Sequence, residues 1–146
     1  MSEIKFPIYL DHHATTPVDP RVLDEMIPYF TKKFGNASSL DHTFGYDASV
    51  AVENAREIIA NGIGARHDEI VFTSGATESD NIALIGTMNK YADRGNHLIT
   101  CVTEHKAVLD TAKHLESLGK KVTYLPVNEY GEINLQELEN AITSET

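Results

Sequence analysis

The 146-residue sequence contains no tryptophan, a single cysteine and no long apolar run. Each shortage excludes a class of protein. Cys101 alone cannot form an internal disulfide, so a disulfide-stapled secreted scaffold is excluded and a reducing, cytoplasmic setting is expected. No stretch approaches the ~20 apolar residues that a membrane-crossing helix needs. The first seven residues lack the apolar core and cleavage-type small residues of a signal peptide. Basic residues are scarce: 12 Lys and Arg against 22 Asp and Glu give a formal net charge of −10. Such a field repels nucleic acid and anionic lipid, and no basic cluster offsets it, so neither is expected as a partner. What remains has enough apolar residues for one core of ordinary domain size, without internal repeats or low-complexity segments.

Two regions follow from the patterning, residues 1–64 and 65–146. The first opens with a short extended stretch at Ile8-Tyr9-Leu10 and a polar loop over 11–19. Asp19-Pro20 reads as an N-cap followed by proline at the first helical position. Val22, Met26, Tyr29 and Phe30 then recur at helical spacing until Phe34-Gly35-Asn36. After a small, polar loop over 35–41, a helix is expected over 43–61, with Val50, Ala51, Ala55, Ile58 and Ile59 on its apolar side. The second region alternates strand and helix. Strands are expected over 69–72, 97–102 and 121–127. Helices are expected over 78–91 (Ile82, Ile85 and Met88 inward), 106–118 (Val108, Ala112 and Leu115 inward, Gly119 as stop) and 134–142 (capped by Asn134, with Glu137 three residues on). That order implies an α/β fold with a mostly parallel sheet and flanking helices. Three strands are few for this architecture, and the sequence stops where another strand is due, so the sheet is expected to be incomplete.

In such sheets ligands bind beyond the carboxyl ends of the strands, here the loops near 73–77 and 103–106. The first is Thr73-Ser74-Gly75-Ala76-Thr77-Glu78-Ser79-Asp80-Asn81. A turn of small, hydroxyl-bearing residues that opens a helix leaves backbone N–H groups unpaired at the positive end of the helix dipole, which suits a phosphate. It carries neither the lysine of a Walker-type loop nor the spaced glycines of a dinucleotide site. An ordinary capped helix explains the same residues, because Thr77-x-x-Asp80 fits the capping-box pattern. On the second loop, His105 either stacks on a planar ligand and moves protons near neutral pH, or is a solvated loop histidine. Cys101, in the apolar run Leu98-Ile99-Thr100-Cys101-Val102, reads as a small buried side chain. His12-His13 lacks a third ligand at metal spacing, so no metal is expected.

Four segments taken together are far more specific: Tyr9-Leu10-Asp11-x-x-Ala14-Thr15-Thr16-Pro17, Phe34-Gly35-Asn36-x-Ser38-Ser39, Phe72 to Asn81, and Thr103-Glu104-His105-Lys106-Ala107-Val108-Leu109-Asp110. From Ile8 onward the chain resembles the N-terminal part of cysteine desulfurases of the NifS/IscS type, pyridoxal-phosphate enzymes of aminotransferase class V. The run Gly-Ala-Thr-Glu-Ser-Asp-Asn resembles this branch more than the SufS-like or selenocysteine-lyase branch. The resemblance implies the beginning of the large domain of a fold type I (aspartate aminotransferase-like) transferase. It matches Ala76 and Thr77 to positions that hold the cofactor phosphate, and His105 to the histidine that stacks on the pyridine ring and assists proton transfer. Ala14 to Thr16 and Asn36 to Ser39 match segments near the active-site mouth. Asp80 and Asn81 read better as structural than as cofactor contacts. Lys106 is not the cofactor-binding lysine, which belongs to a later Ser-x-His-Lys motif absent here. Cys101 is not the sulfur-accepting cysteine.

The resemblance further implies removal of sulfur from L-cysteine to give L-alanine and an enzyme persulfide, a homodimer, and delivery of sulfur to an iron–sulfur scaffold protein. The family's lysine, pyridine-facing aspartate, substrate-binding arginine and catalytic cysteine all match positions beyond Thr146. The expected role is therefore that of an N-terminal fragment, or one piece of a split enzyme, completed by a C-terminal part or second chain. The competing readings are a non-catalytic remnant or regulatory binding module, and a selenocysteine lyase or other class V relative. In the family's sheet order, Ile70 to Phe72 finds its strand neighbours later in the sequence. The isolated 146 residues are accordingly expected not to fold stably, because open strand edges invite aggregation. Denaturant titration of the isolated chain checks this: cooperative two-state unfolding would refute it.

Overall fold

The computed structural model describes residues 6–146. They form two compact units that divide between Val71 and Phe72.

The first unit is helical. Helix α1, Pro20–Thr31, starts as its sequence dictates: the Asp19 carboxylate accepts the Arg21 N–H at 2.9 Å, and Pro20 occupies the first turn, where its missing N–H costs nothing. Val22, Met26, Tyr29 and Phe30 do share the helical spacing, yet α1 contains no buried residue. Helix α2, Thr43–Ile63, begins at His42, whose Nδ1 accepts the Gly45 N–H at 3.1 Å, and ends at Gly64 in the left-handed region (φ 71°). The buried positions of α2 are Gly45, Ala48 and Ala60, while Ile58 is 71% exposed, so the expected apolar side is largely uncovered. The loop before α2 lies against its first turn at backbone distance. A Cβ on Gly45 would sit 1.7 Å from the Ser39 carbonyl oxygen, and one on Gly35 would sit 1.9 Å from that of Phe44. Glycine is required at both positions to admit that approach.

The expected strand over 69–72 does not form. Glu69 closes a 3-10 turn, His67–Glu69, and residues 70–73 are not in a strand. A strand exists only by pairing, and the sheet of the described residues consists of two later strands. The Ile70 carbonyl instead accepts from the Arg56 guanidinium of α2. Ile8 to Leu10 likewise form no strand.

The second unit carries the α/β part. Helix α3, Ala76–Lys90, leads into strand β1, His97–Cys101; helix α4, Lys106–Ser117, connects it to strand β2, Lys121–Leu125; helix α5, Leu135–Ala141, follows. β1 and β2 pair in parallel with His97 opposite Lys121 and Cys101 opposite Leu125. β2 stops two residues earlier than expected because Pro126 has no N–H for the ladder; Val127 forms an isolated antiparallel bridge with Ile133. The β1–α4–β2 crossover closes over Ala112 and Leu115, both fully buried, with Leu125 and Met88 nearly so. Ile82, expected inward, is 49% exposed. Helix α4 ends at Gly119 (φ 85°), whose N–H bonds the Glu116 carbonyl while that of Lys120 bonds Leu115, so two terminal carbonyls are satisfied. Asn134 caps α5, accepting from the N–H groups of Gln136 and Glu137 at 2.9 and 3.4 Å.

Leu115 is the largest fully buried side chain of the described residues. Leu115→Ala is expected to cost about 2–5 kcal/mol and Asn134→Ala only about 1 kcal/mol. Denaturant midpoints of the two variants check this order; a costlier cap than core would contradict the packing described.

Candidate functional site

Helix α3 opens without a side chain on its own cap residue, Gly75. Its first turn is braced from both sides. The Glu78 carboxylate reaches back to accept the Ser74 N–H at 2.6 Å and the Ser74 hydroxyl at 2.7 Å. These donors, the backbone N–H first, hold the Glu78 carboxyl below its ordinary range, so it is anionic throughout neutral pH. The Thr73 and Ser79 hydroxyls meet at 2.7 Å, one donating to the other, and each also lies 3.2 Å from the Gly75 carbonyl oxygen, which accepts from the hydroxyl whose proton is left over. The capping box expected at Thr77 and Asp80 is not formed: Thr77 is already the second helical residue, and the acid at the third, Glu78, serves Ser74 instead.

This bracing leaves the donors at the helix tip unused. The N–H groups of Gly75, Ala76 and Thr77 meet no acceptor among the described residues, nor does the Thr77 hydroxyl. Four donors at the positive end of a 15-residue helix form a cluster suited to an anion. A Cβ added to Gly75 would find nothing within 4 Å beyond its own chain neighbours, so the space beside it is open.

His105 caps α4. Its Nδ1 accepts the Ala107 N–H at 3.1 Å. With that lone pair engaged, the neutral ring carries its proton on Nε2, an assignment that follows from the hydrogen-bond network. Thr77 and Asn81 of α3 and His105, Lys106, Asp110, Thr111 and His114 line one open groove of about 370 Å³. The structure thus brings Thr77 and His105 together on one rim, with Ala76 one residue before Thr77 on the exposed tip. Lys106 is exposed at the first position of α4.

Cys101 departs from expectation. It is half-buried at the carboxyl end of β1, with its sulfur 3.4 Å from the Thr103 hydroxyl and donating to the Glu104 carboxylate at 3.7 Å. The strand end faces the polar loop rather than the core, which explains the partial exposure. Ala14 to Thr16 and Asn36 to Ser39 belong to the first unit, where Asn36 holds a tight turn by accepting the Ser38 N–H at 3.0 Å. No group of three His, Cys, Asp or Glu side chains fit to hold a metal occurs among the described residues.

Sequence reasoning missed three contacts: Glu78 on Ser74, His105 on Ala107, and a link from Asn81 to Thr111. Only the first left a readable trace, an acidic residue at the third helical position. The others depend on which helices lie side by side.

Comparison with known proteins gives these features a family. Residues 8–146 match the aminotransferase class-V model. The chain is 53% identical over all 146 residues to the cysteine desulfurase IscS of Rickettsia massiliae and 55% identical to that of Rickettsia bellii, in each case covering 36% of the relative's length. Among solved structures, a NifS-like protein superposes with a TM-score of 0.87 at 43% identity, covering 94% of this chain and 38% of that one. The protein SspA in complex with cysteine gives 0.84 at 44%, covering 94% and 39%. The parallel strand pair with its flanking helices is therefore part of the fold type I architecture of NifS-like proteins, and the chain belongs to the aminotransferase class-V family.

Proposed function

We propose that this chain supplies the cofactor-cradling N-terminal part of a pyridoxal-phosphate cysteine desulfurase. The observation that carries the reading is that Thr77, at the end of the run of unused donors from Gly75, lines the same groove as the His105 ring. A cofactor with a phosphate at one end and an aromatic ring at the other fits that spacing of chemistries. The donor set fits a phosphate in kind: three N–H groups, one hydroxyl and a helix dipole, with no cation required. The likeness to IscS and to SspA, the latter in complex with cysteine, points to L-cysteine as the substrate.

In this reading the N–H groups of Ala76 and Thr77 and the Thr77 hydroxyl hold the phosphate, and the dipole of α3 stabilises its charge. His105 lies against the ring. Its Nδ1 is committed to the Ala107 N–H, so only Nε2 remains to give or take a proton. When bound, pyridoxal phosphate supplies an electron sink that lets the substrate's α-proton leave. The sulfur of L-cysteine would then pass to a cysteine thiolate: the thiolate attacks the sulfur, the S–S bond forms as the C–S bond breaks, and the C–S electron pair stays on the substrate carbon, which takes up a proton to leave as alanine. The lysine and the cysteine for those steps lie in the C-terminal part, which also completes the sheet and a homodimer. The persulfide feeds an iron–sulfur scaffold protein. No helix among the described residues is long and apolar enough to cross a membrane, and a cytoplasmic location fits the unpaired Cys101.

Co-expression with the downstream reading frame tests this. The expected product is a soluble complex with visible cofactor absorbance that forms alanine from L-cysteine in preference to L-selenocysteine turnover. Thr77→Val should weaken pyridoxal-phosphate binding about 10-fold, the worth of one hydrogen bond to a charged group. His105→Ala should lower turnover and change its pH profile, with bound phosphate retained. A folded complex without cofactor absorbance or alanine formation would leave the non-catalytic reading in its place.

A further inference from the structure

Thr77 and His105 lie on different helices, so something must hold the two helix tips in step. The structure contains one continuous set of contacts between them. The Asn81 side-chain N–H₂ donates to the Thr77 carbonyl at 2.7 Å. The Asn81 side-chain oxygen lies 2.9 Å from the Thr111 hydroxyl. That hydroxyl also lies 2.7 Å from the Ala107 carbonyl oxygen, and the Ala107 N–H donates to His105 Nδ1. Thr111 is 4% exposed, so its hydroxyl has no water to fall back on.

The arrangement has one orientation. Rotating the Asn81 amide by half a turn would place its oxygen against the Thr77 carbonyl, two acceptors face to face. The single Thr111 proton lies between two acceptors, the Ala107 carbonyl within α4 and the Asn81 side-chain oxygen on α3, and is shared by them. A threonine that bonds only to its own helix needs the first alone, so the second acceptor is what joins α4 to α3. Asparagine and threonine are also poor helix formers, so helix stability does not account for either residue at these interior positions.

We propose that Asn81 and Thr111 are positioning residues that set the separation between the phosphate cradle at Thr77 and the ring contact at His105. The inference rests on the cofactor reading given above. It predicts that the pair matters only to a ligand that spans both ends. A ligand held at the phosphate end alone does not sense the separation.

The test uses the co-expressed complex, freed of cofactor, titrated with pyridoxal phosphate and separately with inorganic phosphate. Thr111→Val keeps the side-chain volume and removes the hydroxyl. It should weaken pyridoxal phosphate about 10-fold while changing inorganic phosphate by less than about 2-fold, and Thr111→Ser should restore binding. Thr77→Val, by contrast, should weaken both ligands. Should Thr111→Val fail to fold, Asn81→Ser removes the same link from the exposed side and should give the same split. Equal losses for the two ligands, or none for pyridoxal phosphate, would overturn the inference and leave the pair purely structural. If the unaltered complex binds inorganic phosphate but not pyridoxal phosphate, the cofactor reading fails first.

Discussion

The closure of α4 over the parallel pair of β1 and β2 governs the second unit. Ala112 and Leu115 of α4 are fully removed from water, and Leu125 of β2 is nearly so. Burying a leucine side chain stabilises by roughly 1.5–3 kcal/mol, more than the roughly 0–1 kcal/mol of an exposed ion pair. Once α4 is seated, its start is fixed, and so is His105. The polar link from Thr111 to Asn81 carries that register across to α3 and to the turn at Thr77. The site is accordingly built at the end of the crossover, where side chains are exposed but backbones are not free to drift.

The same logic separates what could be read in the sequence from what could not. Helix starts and stops were legible where one residue decides them: Asp19-Pro20, Gly119 and Asn134 act as their chemistry demands. The parallel pair and its crossover were legible because short apolar runs alternated with amphipathic ones. The segment Ile70-Val71-Phe72 has the composition of a strand and is not one, because strand formation depends on a neighbour rather than on local preference. The faces of α1 and α2 show the same limit. Val22, Met26, Tyr29 and Ile58 have the right spacing for burial, yet spacing does not say what will cover them.

Of the candidate site, residue identities were readable and their roles only partly so. Thr77 and His105 could be marked from the loops they occupy. That Glu78 would take the Ser74 donors, leaving those of Gly75, Ala76 and Thr77 open, follows from side-chain reach in three dimensions. The double duty of His105, cap through one nitrogen and open chemistry through the other, could not be inferred from a single letter. Asn81 reads as structural in the sequence, but nothing there names its partner, Thr111 of the neighbouring helix.

The contact between the loop over 35–41 and the first turn of α2 has a different kind of consequence. It is made by backbone against backbone, with Gly35 and Gly45 as the two open places that admit it. Surfaces that meet through side chains can drift apart over evolutionary time and be refilled by larger ones. This seam has no such reserve, since even a methyl group at either glycine collides with a carbonyl. Variation in this stretch is thereby channelled: apart from Asn36 and His42, whose side chains hold the turn and the cap, change falls on side chains, while the path of the chain between the glycines is held constant.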